Sequence, residues 1–490
     1  MGKKYLSKST FIKGVQCQKA LYLHKYHWKL SDEVSPQQQA IFDRGNQVGL
    51  LAQQLFPGGV DAGPKDYTQY FESFKYTQKL INTGVEVIYE AGFCVDRVMC
   101  FVDILVKENG RWHAYEVKSS TKVTDTYIID ASLQHHIMQK SGLDIANISI
   151  IHINNAYVRN GKLNLNQLFN SVLVTQEAKN NKNYVKEKLL ELHNVLSKES
   201  IPDVDIGEHC SSPYDCNFQG HCWSHIPDYS IFDLSRLNKK IKWNLYHKGF
   251  IDIHQIPLDT DLSDNQKIEI DSYINQTKII HKIKIREFVN SLSEKIYHLD
   301  FETFQPAVPG FDNIKPYQQV PFQYSIHYEK NQQIEHFDFL AKNSLTDSRE
   351  EFIQNLISDV KQDGDILVYN ISFERSRLNE LITYFPKYKV ELQGIIDRMK
   401  DLMIPFKEKW YYTPKMKGSY SIKNVLPALV PSISYDNLEI NNGGLASTTF
   451  NNIHNITNTE AESVIRKNLF EYCKLDTLAM VKILEFLRSI

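Results

Sequence analysis

Three sets of side chains in this 490-residue chain have residue types and spacing that could do chemistry. The first is Asp103, Glu116 and Lys118. Two strand-like runs, 97–108 and 111–118, flank Asn109-Gly110, a dipeptide suited to a two-residue hairpin turn. Such a turn pairs Glu108 with Arg111, and counting back sets Asp103 opposite Glu116, with Cβ atoms roughly 5 Å apart. Lys118, two residues on, points the same way. Paired carboxylates suit a hard divalent cation such as Mg2+ or Mn2+. A neighbouring ammonium can orient a water or stabilise charge on a phosphoryl group. A solvated polar face on an edge hairpin would use the same residue types.

The second set is acidic and scattered. Asp300 and Glu302 alternate along the strand-like run 295–304, so both face one side. A buried strand is expected over 364–369, leading through Asn370 to Glu374 and a helix. The last helix should open with a capping box, Thr459 and Glu462, and run almost to Ile490. Within it Tyr472 and Asp476 stand four apart and share a face. Asp397 is a further acid with no motif behind it. The third set is cysteines. Cys210, Cys216 and Cys222 fall in one irregular loop, and Cys17 offers the fourth thiolate that a tetrahedral site needs. Cys94 and Cys100 lie on strand-like runs and read as core. His209 and His221 are alternative ligands, and four cysteines suit iron–sulfur or zinc.

The elements that must position these groups imply more than one domain. Hydrophobic residues make up 42% and charged residues 23%, a globular balance with material for buried cores. A net charge of −2 excludes a globally basic coat but leaves room for a local basic groove. No apolar run reaches the roughly 18 residues that span a bilayer, and the first residues lack the apolar core of a secretion signal. A cytoplasmic protein without membrane attachment is expected, and in that compartment clustered cysteines point to a metal rather than disulfides. Residues 1–225 read as an α/β unit closed by the cysteine loop. Residues 226–293 read as a helical connector, with Leu234, Leu237, Ile241 and Leu245 at helical spacing. Its stretch 242–250 reads as a helical hairpin broken at Gly249, a spacer or an element that grips a nucleic-acid backbone. Strands and helices alternate again over 294–490. Aromatic and basic residues over Lys407–Tyr420 suit stacking on unpaired bases while following phosphates, or equally a packed loop with a solvated rim.

The Asp103…Glu116-Val117-Lys118 pattern resembles the PD-(D/E)XK nucleases, more narrowly the RecB-like branch that includes CRISPR-associated iron–sulfur exonucleases. The resemblance covers roughly residues 5–225. It implies Asp103 and Glu116 as metal ligands, Lys118 as a catalytic group and Gln134 as the glutamine of the following helix. Where relatives carry Tyr four residues after that glutamine, this chain has Met138. Where they carry a metal-binding His after a Gly-x-x-Val step, Gly45–Val48 is followed by Gly49. The resemblance also implies that Cys17, Cys210, Cys216 and Cys222 hold a [4Fe–4S] cluster that ties the ends of the domain together, with zinc as the alternative. The acidic set, in its order and over roughly 294–490, resembles the tyrosine subtype of DEDD exonucleases of the RNase H-like fold. That implies two metal ions about 4 Å apart, Asp300 bridging them, Glu302, Glu374 and Asp476 completing the ligation, and Tyr472 orienting the attacking water. Glu374 stands where the pattern has Asp.

Together the two resemblances imply an α/β multidomain chain that fuses a RecB-like nuclease to an RNase H-like domain of unknown function, a combination similar to that of uncharacterised prokaryotic proteins. The implied function is a metal-dependent nuclease acting on DNA with single-stranded ends, trimming 3′ to 5′ in its C-terminal half. The alternatives are a nucleic-acid-binding iron–sulfur module with an inactive N-terminal site, or an exonuclease directed at RNA. DNA repair or defence follows only by association.

Overall fold

In a computed structural model, the protein is described over residues 4–66, 68–331 and 333–490. It is a multidomain α/β protein with mixed sheets, and its chain divides into two compact units. One comprises the residues up to His225 together with Ala307–Tyr317; the other comprises Ile226–Pro306 and Gln318–Ile490. No helix among the described residues is long and apolar enough to cross a membrane.

The first unit is built on strands β1 (Leu6–Ser7), β2 (Val60–Asp61), β3 (Val87–Val95), β4 (Val98–Glu108), β5 (Arg111–Lys118), β6 (Ile145–Ile153) and β7 (Phe169–Leu173). They line up as β2-β3-β4-β5-β6-β7, with β1 beside the start of β4. The β4–β5 hairpin follows from its turn: Asn109 and Gly110 take φ of 50° and 83°, which the Asn-Gly pair tolerates. Glu108 pairs with Arg111, and the ladder runs to Ile104 opposite Tyr115. There it stops. The β3–β4 ladder likewise steps from Tyr89/Ile104 to Ala91/Val102, leaving Asp103 and Glu90 outside it, with Glu90 at φ 49°. The register is unchanged on either side, so the ladder is interrupted by one pair at the acid that the sequence singled out. Helices α1 (Lys8–Gln16), α2 (Pro36–Gln53) and α3 (Asp125–Lys140) cover the sheet. Cys100, Val102, Trp112 and Ala114 form one core with α3, while Ile104 and Val106 belong to another with Val48 and Ala52 of α2.

The second unit contains β8 (Ile279–Ile280), β9 (Ile296–Phe304), β10 (Val320–Lys330), β11 (Gln333–Leu340), β12 (Asp365–Val368), β13 (Met399–Asp401) and β14 (Tyr411–Tyr412). Its main sheet runs β11-β10-β9-β12-β13. Central β9 is antiparallel to β10 and parallel to β12. The chain leaves β9 in one direction and returns on its other side, a switch point of the kind where α/β sheets form crevices. The helices that matter are α4 (Lys239–His247), α5 (Asp264–Asn275), α6 (Ile371–Tyr384), α7 (Ile422–Leu429), α8 (Gly443–Asn451) and α9 (Thr459–Arg488). The capping expectation for α9 needs correction. Asn458 is the cap, accepting from the N–H groups of Glu460 and Ala461, while Glu462 pairs with Arg466 at 2.9 Å.

Residues 226–293, expected as a separate connector, are counted with the second unit. The physical reason is tight anchoring. β8 pairs with β14, the Tyr229 and Tyr412 hydroxyls lie 3.2 Å apart, and fully buried Glu269 of α5 meets buried Lys409 at 2.6 Å. Residues 307–317 are counted with the first unit, where Arg159 donates to the carbonyls of Pro309 and Gly310 at 2.8 and 2.7 Å.

Candidate functional site

In the first unit the E-x-K strand builds a saturated network. Glu116 is 1% exposed. Its Oε1 accepts from Lys8 Nζ at 2.7 Å and Lys118 Nζ at 2.6 Å, and its Oε2 accepts from Gln134 Nε2 at 2.7 Å. Lys118 also donates to Asp130 at 2.7 Å. Asp103 accepts the Val117 N–H at 2.6 Å through Oδ2, so its carboxylate takes up a backbone donor just beyond the end of the β4–β5 ladder. Burial alone would raise Glu116, but the ammonium groups of Lys118 and Lys8 outweigh it and hold the carboxyl below its usual range. Asp103 goes the other way: burial, then the Glu116 charge, push it well above that range. Glu90, buried in the same surroundings, is pushed up to about 7. Lys8, Asp130 and Glu90 were not singled out from sequence. Asp130 lies four residues before Gln134, a helix-face signal that was there to use. Lys8 is 108 residues from its partner and has no local signal. A Cβ built on Gly49 would meet nothing within 4 Å, so the place of the expected histidine is open space.

The four named cysteines line one largely apolar pocket with about 320 Å³ of atom-free space, part of it open to solvent. Cys17 sits between two helices and caps the second, its Sγ accepting the Ala20 N–H at 3.4 Å. Cys17, Cys216 and Cys222 pack on Ala20, Leu23 and fully buried Phe218. All are free thiols, and burial pushes Cys17, Cys216 and Cys222 up. Cys100 is buried in the core and Cys94 half-buried on β3. A cleft of about 380 Å³ connects the cysteine loop, at Tyr214–Cys216, with Lys8, Lys118 and Asp130.

The second unit is the opposite case. Asp300 and Glu302 on β9 and Asp476 on α9 bring ligand atoms within 4.8 Å of one another. Tyr435 donates to Asp476 Oδ1 at 2.6 Å. The Tyr472 hydroxyl lies beside Glu302 and Asp476 and favours their charged forms. Lys423 of α7 holds its Nζ 5.1 Å from the Tyr435 ring centre and 5.2 Å from that of Tyr472. Burial and the charge of Asp476 push Glu302 up to about 8; burial raises Asp476 to about 6 and Asp300 well above the carboxylate range. Burial lowers Lys423, against the pull of those acids. A Cβ on Gly443, at the start of α8, would lie 3.4 Å from Glu302 and 3.8 Å from the Tyr472 hydroxyl.

Glu374 stands in the first turn of α6, outside the tight trio but close enough for its charge to act on Asp300 and Glu302. It is 2% exposed, its Oε2 has no hydrogen-bond partner, and burial pushes it up to about 8. An orphaned buried carboxylate oxygen is costly unless something fills its place. The turn before it is shaped by Asp401, which accepts from the N–H groups of Asn370 at 3.1 Å, Ile371 at 3.2 Å and Met403 at 2.9 Å. The acid with a role here is therefore Asp401; Asp397 is exposed and bonds to Gln393. Of the two readings of Lys407–Tyr420, the packed loop holds for Tyr411 and Tyr412, which are core residues, while Trp410 and Tyr420 are half-buried.

Residues 297–421 match the family described as "Domain of unknown function (DUF2779)". That span holds Asp300, Glu302 and Glu374. The chain is similar to "Uncharacterized protein UU173" of Ureaplasma parvum, 28% identical over 295 residues, covering 54% of this chain and 41% of the relative. It is also similar to "Uncharacterized protein MG366" of Mycoplasma genitalium, 27% identical over 226 residues, 42% of this chain and 34% of the relative. The chain thus spans well under half the length of these relatives.

Proposed function

We propose that this chain is a metal-dependent nuclease whose exonuclease site is the carboxylate cluster of the second unit. The observation that carries the reading is the buried trio Asp300, Glu302 and Asp476 within 4.8 Å, with the unpartnered Oε2 of Glu374 nearby. Several carboxylates crowded out of water cannot all ionise unaided, and a divalent cation resolves that conflict. The acid-bearing central strand of a mixed sheet is in keeping with an RNase H-like fold. Divalent ions held by Asp300, Glu302, Glu374 and Asp476 would supply an acidified water and neutralise phosphoryl charge. The chain's own groups then position the reactants. Tyr472, beside two of the acids, orients the water; Tyr435 fixes Asp476; Lys423 supplies a cation at the face of both tyrosines.

The first unit fits a PD-(D/E)XK-like frame with a [4Fe–4S] cluster on Cys17, Cys210, Cys216 and Cys222. All-sulfur donors in one apolar pocket suit such a group. Four thiolates also suit zinc, which stays the alternative metal for this pocket. With both Glu116 oxygens taken by protein donors, the observation favours gripping nucleic acid over cutting it in this unit. A cytoplasmic setting belongs to the same proposal.

The test is anaerobic purification followed by end-labelled single- and double-stranded DNA and RNA with Mg2+ or Mn2+. The expected result is 3′-end trimming that falls about a thousandfold in Asp300→Asn and Asp476→Asn. Glu116→Gln should leave the rate within a few-fold, and the protein should be brown, absorbing near about 400 nm. A parent that degrades nothing under any of these conditions overturns the nuclease reading.

A further inference from the structure

The second unit carries a groove of about 810 Å³ that the acid site does not use. One wall is the stretch Phe232–Arg236 with Lys242 of α4; the other is the loop Lys417–Asn424, and Tyr369 and Asn370 line it as well. We propose that this groove binds single-stranded nucleic acid and feeds a chain end to the carboxylates. The proposal rests on the nuclease reading of that site and names the path to it.

Three observations point the same way. First, charge: Arg236, Lys242 and Lys417 line the groove against one carboxylate, Asp233, whose Oδ2 already accepts from the Ser230 N–H at 2.8 Å and hydroxyl at 3.0 Å. A chain of net charge −2 has concentrated cations here. Lys417 pairs only at 3.4 Å with a fully exposed Asp228, a contact that water and salt weaken. Second, aromatics: the Arg236 guanidinium sits 5.7 Å from the Tyr420 ring centre and donates to its hydroxyl at 3.1 Å. A ring and a guanidinium offer stacking surface to unpaired bases, which a duplex keeps to itself. Third, continuity: Asn370 leads directly into the helix of Glu374, and Ile422 and Asn424 flank Lys423, which faces the three clustered acids.

The groove is also held rigid. Buried Glu269 accepts the Ser235 N–H at 2.9 Å while pairing with Lys409, and Gln266 donates to the Ser235 carbonyl at 2.9 Å. Gly418, at φ 70°, brings the opposite wall so close that a Cβ would lie 2.4 Å from the Asp233 carbonyl oxygen. Two walls distant in sequence are thus fastened to each other before any ligand arrives, which lowers the ordering entropy of binding. Asn370 completes the rim, exposed and at φ 83°, a left-handed conformation that non-glycine residues rarely hold.

The experiment measures anisotropy of a fluorescent oligo-dT without divalent metal, so that binding is read apart from cleavage, using the full chain. Tyr420→Ala and Arg236→Ala should each weaken binding about tenfold, and Lys417→Ala should weaken it less while flattening its salt dependence. Arg236→Lys should recover part of the loss. Asp300→Asn should bind like the parent. With Mn2+, the groove variants should raise KM and leave kcat unchanged. Parent-like affinity in Tyr420→Ala and Arg236→Ala, or equal competition by polyglutamate, overturns the groove as a nucleic-acid site. If groove variants lose binding while the parent cleaves nothing, the groove stands and the nuclease reading falls; if the parent cleaves and the groove variants match it throughout, the reverse holds.

Discussion

The two units solve the same electrostatic problem in opposite ways. In the first, buried Glu116 receives two ammonium groups and an amide from the protein itself, and its carboxyl is held below the usual range. In the second, Asp300, Glu302 and Asp476 crowd together facing one lysine, and all three are pushed above it. A buried carboxylate with built-in partners is finished as a structure. A cluster without them is finished only when a cation arrives. The contrast suggests why acids alone are poor evidence of function: what separates a site from a strut is whether the protein has already neutralised them.

The largest effect should come from giving the second unit the divalent cation proposed for it. Its acids bind protons more tightly when folded than when unfolded, so without metal the folded state carries extra protons. Stability is then greatest below about pH 4 and is lost as pH rises through about 6 for Asp476 and about 8 for Glu302 and Glu374. Mn2+ needs the deprotonated carboxylates, so its affinity should climb over that same interval. At a hundredfold excess over Kd it should add about 2.7 kcal/mol. Calorimetric melts at pH 6 and pH 8 with and without Mn2+ check this. Asp300→Asn should melt higher than the parent without metal at pH 8 and gain little from Mn2+. A metal-free melt that strengthens from pH 6 to pH 8 would sink the assignment.

A smaller effect is expected in the first unit from Lys8→Ala. Glu116 keeps Lys118 and Gln134, and the Lys8 side chain is a quarter exposed, so the loss should be about 1–2 kcal/mol rather than the roughly 3–5 of a fully buried pair. The sign with pH is reversed. Glu116 is depressed on folding, so its contribution is present above its unfolded pKa and is lost as pH falls. Removing Lys8 brings the folded carboxyl closer to its unfolded range, so the acid loss becomes smaller and ends at a higher pH, read as a shallower fall in melting temperature as pH drops below about 5. An unchanged acid limb would mean that Lys8 does not set the Glu116 charge.

Local patterns in the sequence carried much of this. Asn109-Gly110 fixes the hairpin register through ideal turn chemistry, and the alternation of Asp300 and Glu302 along β9 is the ordinary strand period. The cysteines share a pocket because Cys17 is a helix cap facing a loop that returns to it. What was not legible depends on tertiary contacts. Lys8 reaches Glu116 across 108 residues, and Asp401 shapes the Glu374 turn from a neighbouring strand. The anchoring of 226–293 depends on the buried Glu269–Lys409 pair, which in sequence looks like two surface charges. Likewise the sequence left Tyr411 and Tyr412 open between stacking surface and packed loop, because composition cannot tell an exposed ring from a buried one.

The smallest expected effect bears on the comparison itself. Gly49 lies in α2, which packs on β5, and a side chain there enters open space. Replacing a helical glycine by histidine should stabilise the helix by about 0.3 kcal/mol. If this is the place of a lost ligand, Gly49→His in an Asp300→Asn background should restore a Mn2+-dependent rise in melting temperature. That rise should be slight, because Glu116 still holds Lys8 and Lys118 and must release one of them to take a metal. Combining it with Lys8→Ala should enlarge the rise, since the built-in cation and the incoming one compete for the same oxygen. If the double change gains nothing over Lys8→Ala alone, the first unit is not a depleted metal site, and its charges serve to hold α1 and α3 against the sheet.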